Sequence, residues 1–122
     1  MICVTEQNLK EQVFASDFEF CLLDERARIL NEVGHVIATK FNSSFTKFVE
    51  ASNYDAPTFV NLVVECLSGF RDEAIYNGRQ VFFYKRAQIL CADLIGAYND
   101  IGAPVSFKNA EQLTMFADYR VP

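Results

Sequence analysis

The sequence predicts a mainly α-helical protein, one compact multi-helix domain over residues 1–122. Of the 122 residues, 51% are hydrophobic and 22% are charged, a balance typical of a folded chain with one core. Apolar residues recur at three- and four-residue steps in several stretches, the spacing of helices that bury one face. Only one short segment favours a strand by composition. Together these features indicate a helical fold.

The first two predicted helices lie before residue 42. Thr5 can cap a helix that runs to about Ser16, with Leu9 and Val13 on one face. The clearest periodicity of the chain then predicts an amphipathic helix from about 23 to 41. Its apolar face comprises Leu23, Ala27, Leu30, Val33, Ile37 and Phe41.

Two further helices are predicted before residue 70. The stretch SSFTKFVEA, residues 43–51, indicates a short one. Asp55 and Pro57 are start signals for the next helix, and Gly69 is its stop signal. The predicted buried face of this helix comprises Val60, Val63, Val64 and Leu67.

The middle of the chain contains a turn and then another helix. Asn77-Gly78 predicts a tight turn. The following stretch QVFFY favours a strand by propensity, but no partner strand is evident nearby, so we expect an extended segment or a helix start. KRAQILCADLIGAYND, residues 85–100, resumes helical spacing. Its apolar side comprises Ala87, Leu90, Leu94 and Ala97.

The C-terminal part is predicted to hold a loop and a last helix. The loop is GAPVS, residues 102–106. Asn109 and Gln112 have the spacing of a capping box, which predicts a helix from Ala110 to about Ala117. The apolar segment then reaches Val121-Pro122 without a C-cap, so the domain is expected to be incomplete at this end.

Composition restricts the classes of partner and cofactor. A net charge of −5 disfavours stable nucleic-acid binding, although a small phosphorylated ligand needs only a few local cations. No cluster of metal ligands is evident, so no metal or cofactor is predicted. The N-terminus turns polar within five residues and no apolar run approaches ~20 residues, which predicts a soluble, cytoplasmic chain without membrane contact. The oligomeric state cannot be predicted.

The four cysteines are predicted to be reduced core residues. Cys3, Cys21, Cys66 and Cys91 show no CxxC or CxH spacing and lie in apolar surroundings.

Charged residues at two places in the sequence have an unusual context. Lys85 and Arg86 directly follow the aromatic run that ends in Tyr84, and Asp118 lies between the apolar Met115-Phe116-Ala117 and Tyr119-Arg120. A charge in apolar surroundings is costly when unpaired. The residues alone leave two interpretations open: Asp118 pairs with Lys85 or Arg120 as a structural tie, or it takes part in chemistry. His35 is a weaker candidate, with packing favoured over a role as a base. For Arg71-Asp72-Glu73, a solvated turn or helix start is favoured over a phosphate contact.

The longer stretches around these positions resemble a known family. GFRDEAIYNGRQVFFYKRAQILCADL, LTMFADYRVP and, upstream, DERARILNEVGHVIATKFNSSF closely resemble the queuosine salvage protein family. The resemblance implies hydrolysis of queuosine 5′-phosphate, a small-molecule modified nucleotide, with release of queuine for tRNA queuosine salvage. It implies a helical fold similar to helix-hairpin-helix DNA glycosylases. Family chains are longer at both ends, so a central fragment is expected.

The resemblance also implies roles for residues of this sequence. Asp118 in FADYR corresponds to the catalytic carboxylate, and Lys85 in FYKRAQ corresponds to its partner or to a phosphate contact. The substrate-binding candidates in the same motifs are Tyr84, Arg86, Tyr119 and Arg120. Against this enzyme hypothesis stand a non-catalytic helical binding or interaction fragment without a complete active site, and a structural remnant.

Overall fold

A computed structural model of the protein describes residues 3–14, 20–118 and 120. Their structure is mainly helical, as predicted, with one small sheet. The chain divides into two compact units, Met1–Ser44 and Phe45–Pro122.

The first unit begins with a capped helical turn. Helix α1 spans Glu6–Asn8 and continues as a π-helix over Leu9–Phe14. The Thr5 hydroxyl accepts a hydrogen bond from the backbone N–H of Asn8 at 3.1 Å, which confirms the predicted cap. Leu9 is buried, whereas Val13 of the predicted face is 64% exposed. The predicted end at Ser16 lies outside the described residues.

Helix α2 of the first unit spans Leu23–Lys40, close to the predicted range. Asn31 joins it to the N-terminal segment: its amide accepts from the Val4 N–H at 2.8 Å and donates to the Val4 carbonyl at 2.7 Å. The buried residues of α2 are Ala27 and Val36. Leu30 of the predicted face is 48% exposed, so that face was only partly correct. His35 is exposed.

Within its described residues, the second unit contains three helices, a hairpin and two 3₁₀ turns. The elements are α3 (Phe45–Glu50), α4 (Ala56–Cys66), a 3₁₀ turn (Ser68–Phe70), β1 (Glu73–Tyr76), β2 (Arg79–Phe82), α5 (Lys85–Asp100) and a second 3₁₀ turn (Ala110–Gln112). The core of this unit is formed by Phe48, Val49, Phe59, Val60, Val63, Val64, Leu67, Ala87 and Cys91.

Helix α4 agrees with its prediction. Asp55 is its N-cap and accepts from the Thr58 N–H at 3.1 Å, and Pro57 lies in its first turn. The four residues predicted to form the buried face are all buried: Val60, Val63, Val64 and Leu67.

The Asp55 cap predicts a pH-dependent contribution to stability. The Thr58 hydroxyl, the Asn109 amide and the Thr58 N–H all donate to this carboxylate, which holds its pKa below the usual range. A lowered pKa in the folded state stabilises the fold above the unfolded pKa of about 3.9, and this contribution disappears as pH falls through the folded pKa. We therefore expect Asp55→Ala to lower the unfolding midpoint by several degrees at pH 7 and pH 5, with a smaller difference below about pH 4.

Thermal unfolding of both proteins across this pH range measures the effect. Asp93→Ala, at an exposed position of α5, serves as the control and should change the midpoint little at pH 7. An Asp55→Ala difference that grows on acidification would contradict the role of the ionised carboxylate.

The strands β1 and β2 form a two-stranded antiparallel hairpin around Asn77-Gly78. Both turn residues have positive φ, 48° and 73°, as a type I′ turn requires. The turn was predicted correctly, but the expectation that QVFFY has no partner strand was wrong. All four side chains of β1 are exposed, so this strand lacks the alternation of apolar and polar residues that reveals a half-buried strand.

Helix α5 spans the predicted residues, and its predicted face was partly correct, since Ala87 is buried. Its buried residues are Ala87, Gln88 and Cys91, whereas Ala97 of the predicted face is exposed. Burial raises the pKa of the Cys91 thiol to about 11, so this thiol stays protonated at neutral pH. The cysteines are free, as predicted, but Cys3 and Cys21 are exposed and are not core residues.

The loop after α5 is anchored on the start of α4. The backbone N–H of Lys108 donates to the Tyr54 carbonyl at 2.7 Å, and the Lys108 carbonyl accepts from the Ala56 N–H at 3.0 Å. Phe107 packs edge-on against Tyr54 and Tyr98 at centroid distances of 5.9 and 6.0 Å. The start of the C-terminal segment is therefore fixed beside α4.

The predicted C-terminal helix was wrong. Only Ala110–Gln112 forms a 3₁₀ turn, and residues 113–118 are not helical. Asn109 makes no side-chain cap, and its amide NH₂ donates to the Asp55 carboxylate. The Thr114 N–H bonds to the side chain of Gln88 at 2.8 Å and not to a preceding carbonyl. Contacts distant in sequence thus replace the local helix.

Within residues 3–14, 20–118 and 120, no helix combines the length and the apolar character needed to cross a membrane.

Candidate active site

Lys85 is the first residue of α5, directly after the hairpin. Tyr84, the N-cap residue, has a left-handed backbone with φ 49° and makes no side-chain cap. The Asp72 carboxylate replaces it: Oδ2 accepts from the backbone N–H of Lys85 at 2.9 Å. The Asp72 carbonyl also accepts from the N–H groups of Phe83 and Tyr84, at 3.0 and 3.3 Å. The residue before β1 therefore fixes where α5 begins.

The ammonium of Lys85 forms an ion pair with Asp118. The distance from Lys85 Nζ to Asp118 Oδ2 is 3.2 Å, and the two side chains are 30% and 46% exposed. Ion pairs with this degree of exposure stabilise a fold by about 0.2–1 kcal/mol. The pair is accessible to a ligand, and it contributes little as a structural tie.

The electrostatic setting favours anions at this point. The N-terminus of a helix carries a partial positive charge, and Lys85 and Arg86 add two cations in the first turn of α5. Asp72 and Asp118 supply the opposing carboxylates. Oδ1 of Asp72 is buried and makes no hydrogen bond within the described residues, so the helix N-terminus is the main partner of this carboxylate.

A buried amide joins α5 to the segment that carries Asp118. Gln88 Nε2 donates to the Phe83 carbonyl at 3.0 Å, and its Oε1 accepts from the Thr114 N–H at 2.8 Å. The Thr114 hydroxyl lies 3.0 Å from Nε2 and 3.1 Å from Oε1. Four residues later, the Asp118 N–H donates to the Phe116 carbonyl at 2.7 Å, which closes a tight turn.

The other predicted binding residues are Tyr84, Arg86, Tyr119 and Arg120. Tyr84 is half-buried, with its ring 5.5 Å from that of Phe82, and Arg86 is exposed on α5. Arg120 is exposed, and its side chain or backbone interacts with another group of the protein. Tyr119 lies outside the described residues. The structure thus brings Lys85 and Asp118 into contact. Tyr84 and Arg86 are the sequence neighbours of Lys85.

Arg71 has a structural contact. Its guanidinium donates through Nε and NH2 to the Val64 carbonyl in the last turn of α4, at 3.1 and 2.9 Å. These bonds satisfy a carbonyl at a helix end, where intrahelical donors run out. The guanidinium is therefore engaged at the end of α4, while Arg71 as a residue remains exposed.

Two cavities lie elsewhere, in the first unit. One of about 300 Å³ is lined by Leu9, Val13, Phe14, Arg26, Ile29 and Leu30. One of about 380 Å³ is lined by Glu6, Gln7, Lys10, Phe20, Leu23 and Asp24. Neither lining includes a predicted site residue. Across the described ranges, no group of three or more His, Cys, Asp or Glu side chains is arranged to hold a metal ion.

Three residues of the site were not predicted from the sequence: Asp72 as a cap, and the pair Gln88 and Thr114. Gln88 did carry a signal, since it is a polar residue beside Ala87 at helical spacing from Cys91 and lies in the motif FYKRAQ. Its partner is 26 residues away, and no local pattern identifies it.

Fold and site together define a mainly helical protein with an accessible carboxylate–ammonium pair at the start of a helix. The family model described as queuosine salvage protein matches residues 1–122, the whole chain. The chain therefore belongs to the queuosine salvage protein family, as its motifs predicted.

Several curated relatives carry the name queuosine 5′-phosphate N-glycosylase/hydrolase. The one from Sphaerobacter thermophilus is 48% identical over 112 residues, which cover 90% of this chain and 34% of the relative. The one from Dictyostelium discoideum is 52% identical over 98 residues, or 80% of this chain and 30% of the relative. The mouse protein is 44% identical over 101 residues, or 83% and 30%. The chain thus spans about a third of the length of these relatives.

Proposed function

We propose that this chain supplies the catalytic carboxylate, Asp118, and its partner, Lys85, to an enzyme that hydrolyses the N-glycosidic bond of queuosine 5′-phosphate. The observation that carries the proposal is the 3.2 Å contact between Lys85 Nζ and Asp118 Oδ2 in a half-exposed setting. The activity named for relatives from three organisms supports the reaction and the substrate.

The chemistry needs an anion of this kind. When the bond between ribose C1′ and the base breaks, its electron pair leaves with the base, and C1′ gains oxocarbenium-like positive charge. A carboxylate held against C1′ stabilises that charge or attacks C1′ to form a glycosyl intermediate. Water then supplies the hydroxyl at C1′, and the departing base takes up a proton. Asp118 is the carboxylate that we place at C1′, and no metal is required for these steps.

Lys85 has two roles open to it. As the ion-pair partner of Asp118, it favours the ionised carboxylate, because a nearby opposite charge lowers the cost of ionisation. As a cation at a helix N-terminus, it can also hold the 5′-phosphate. Binding energy from the phosphate aligns the sugar without entering the bond-breaking step.

Aromatic side chains near the pair are suited to hold the base. Phe82 and Phe83 are 57% and 44% exposed. Tyr84, the next residue before Lys85, is half-buried. Stacking a flat base on an aromatic face contributes about 1–3 kcal/mol. In this proposal, the further substrate-binding residues are Arg86, Tyr119 and Arg120. We also propose that the fold is related to that of helix-hairpin-helix DNA glycosylases. The proposed site of action is the cytoplasm.

A direct assay tests the function. Queuosine 5′-phosphate is incubated with the 122-residue chain and with a chimera in which these residues replace the matched segment of the Sphaerobacter thermophilus relative. Chromatography then measures free queuine. We expect release by the chimera at a rate near that of the relative. A folded chimera without release would contradict the proposal.

A specific observation favours a second candidate, a non-catalytic interaction piece. Large apolar side chains of the hairpin are exposed: Ile75 by 75%, Tyr76 by 69% and Phe82 by 57%. Exposed apolar surface of this kind marks sites of association. In that case the chimera would stay inactive.

A further inference from the structure

Gln88 is a buried polar residue on the face of α5 that packs into the core. It is 7% exposed, between the fully buried Ala87 and Cys91 in this face. A primary amide in such a place is costly unless its hydrogen bonds are made. Gln88 makes them at both ends of the amide, to Phe83 on one side and to Thr114 on the other.

The orientation of this amide is fixed by its backbone partners. The Phe83 carbonyl can only accept a hydrogen bond, so it must face the NH₂ group of Gln88. The Thr114 N–H can only donate, so it must face the amide oxygen. A flipped amide would break both bonds, and Gln88 therefore holds Thr114 in one register on α5.

The contact between Gln88 and Thr114, called the clamp below, lies close in sequence to both members of the ion pair. Gln88 follows Lys85 by three residues on α5, so the two side chains share one face of the helix, one turn apart. Thr114 precedes Asp118 by four residues, and the hydrogen bond from the Asp118 N–H to the Phe116 carbonyl closes a turn within that interval. Little free chain separates the clamp from the carboxylate.

We propose that Gln88 is a positioning residue: by holding Thr114 on α5, it sets where the Asp118 carboxylate lies relative to Lys85. This inference rests on the proposed function, in which Asp118 acts at C1′. Residues 113–118 are not helical, and the Gln88 amide fixes the Thr114 N–H in this segment at 2.8 Å.

The kinetic consequence is a loss in kcat. A displacement of about 1 Å at a reacting group costs on the order of 10²-fold in rate. Gln88→Met has a similar length but makes neither amide bond. We expect it to lower kcat in the active chimera about 10- to 100-fold, with a smaller change in KM. Thr114→Val, which loses the hydroxyl but keeps the N–H, should lose less.

Rescue by pH separates positioning from general loss of stability. A protonated glutamic acid at position 88 can still donate to the Phe83 carbonyl and accept from the Thr114 N–H, whereas the carboxylate lacks the donor for the Phe83 carbonyl. The kcat of Gln88→Glu relative to wild type should therefore rise as pH is lowered. Val60→Ala, in the core on α4, is the control: it should lower the unfolding midpoint and leave kcat unchanged while the protein is folded.

A second measurement needs no activity. Crystal structures of the 122-residue chain and its Gln88→Met variant compare the Lys85 Nζ–Asp118 Oδ2 distance, which is 3.2 Å with Gln88 in place. We expect the pair to separate beyond 4.0 Å or Asp118 to occupy several positions. An unchanged pair overturns the inference, as does a wild-type kcat for Gln88→Met. If Asp118→Asn alone keeps the wild-type rate, the proposed function fails, and the crystal structures still decide the role of Gln88.

Discussion

Asp118→Asn in the active chimera is expected to lower kcat for queuine release about 10²–10³-fold or more, a loss typical of removing one preorganised electrostatic group. Asparagine keeps the size of the side chain but carries no charge to stabilise C1′. KM should change little, because the charge that Asp118 opposes develops only in the transition state. Chromatographic measurement of queuine over a range of substrate concentrations gives both constants.

The same substitution should affect folding little. The Lys85–Asp118 pair is 30% and 46% exposed, so its loss should change the free energy of unfolding by no more than about 1 kcal/mol. Glu111→Gln is the matched control, an exposed acid in the same C-terminal segment, and should keep wild-type kcat. Wild-type turnover by Asp118→Asn, or an equal loss with Glu111→Gln, would remove Asp118 from the reaction.

Lys85→Met is expected to lower kcat/KM about 10- to 100-fold, the second large effect. Methionine keeps much of the unbranched side chain but removes the cation that opposes Asp118. Lys40→Met, an exposed lysine of the last turn of α2, is the control and should leave both constants unchanged. If Lys85→Met changed neither rate nor affinity, Lys85 would have only a structural role.

Comparing two substrates separates the two roles of Lys85. If the ammonium opposes Asp118, Lys85→Met should lower kcat by a similar factor for queuosine 5′-phosphate and for the nucleoside without phosphate. If the ammonium holds the phosphate, the loss should be confined to the phosphorylated substrate and should fall mainly on KM.

Much of the helical fold could be predicted because its signals are local. The start of α4 follows from Asp55 and Pro57, and its buried face from the spacing of Val60 to Leu67. These features depend on residues within one or two turns. The boundaries of α2 and α5 were equally clear from their periodicity.

The errors arose where distant contacts decide the local structure. Residues 113–118 have a helical pattern, but the Gln88 amide takes the Thr114 N–H and Asp55 takes the Asn109 amide. The missed strand β1 is a different case, because it pairs with its neighbour in sequence, β2. All four of its side chains are exposed, so no alternation of apolar and polar residues marks it as a strand.

The candidate site shows the same division. The motifs identified Lys85 and Asp118, and the structure brings their charged groups to 3.2 Å across 33 positions of sequence. Two hydrogen bonds support this pair. Asp72 caps the start of α5 at Lys85, 13 residues away in sequence, and Gln88 binds Thr114, 26 residues away. Those pairings could be found only from the folded chain.

The most direct measurement is a crystal structure of the chimera carrying Asp118→Asn, with queuosine 5′-phosphate bound. We predict that the side chain at position 118 lies about 3–3.5 Å from ribose C1′, the separation of a group poised to act on that carbon. The nucleotide bound elsewhere, or with C1′ turned away from position 118 and from Lys85, would contradict the assignment of this pair to glycosidic cleavage.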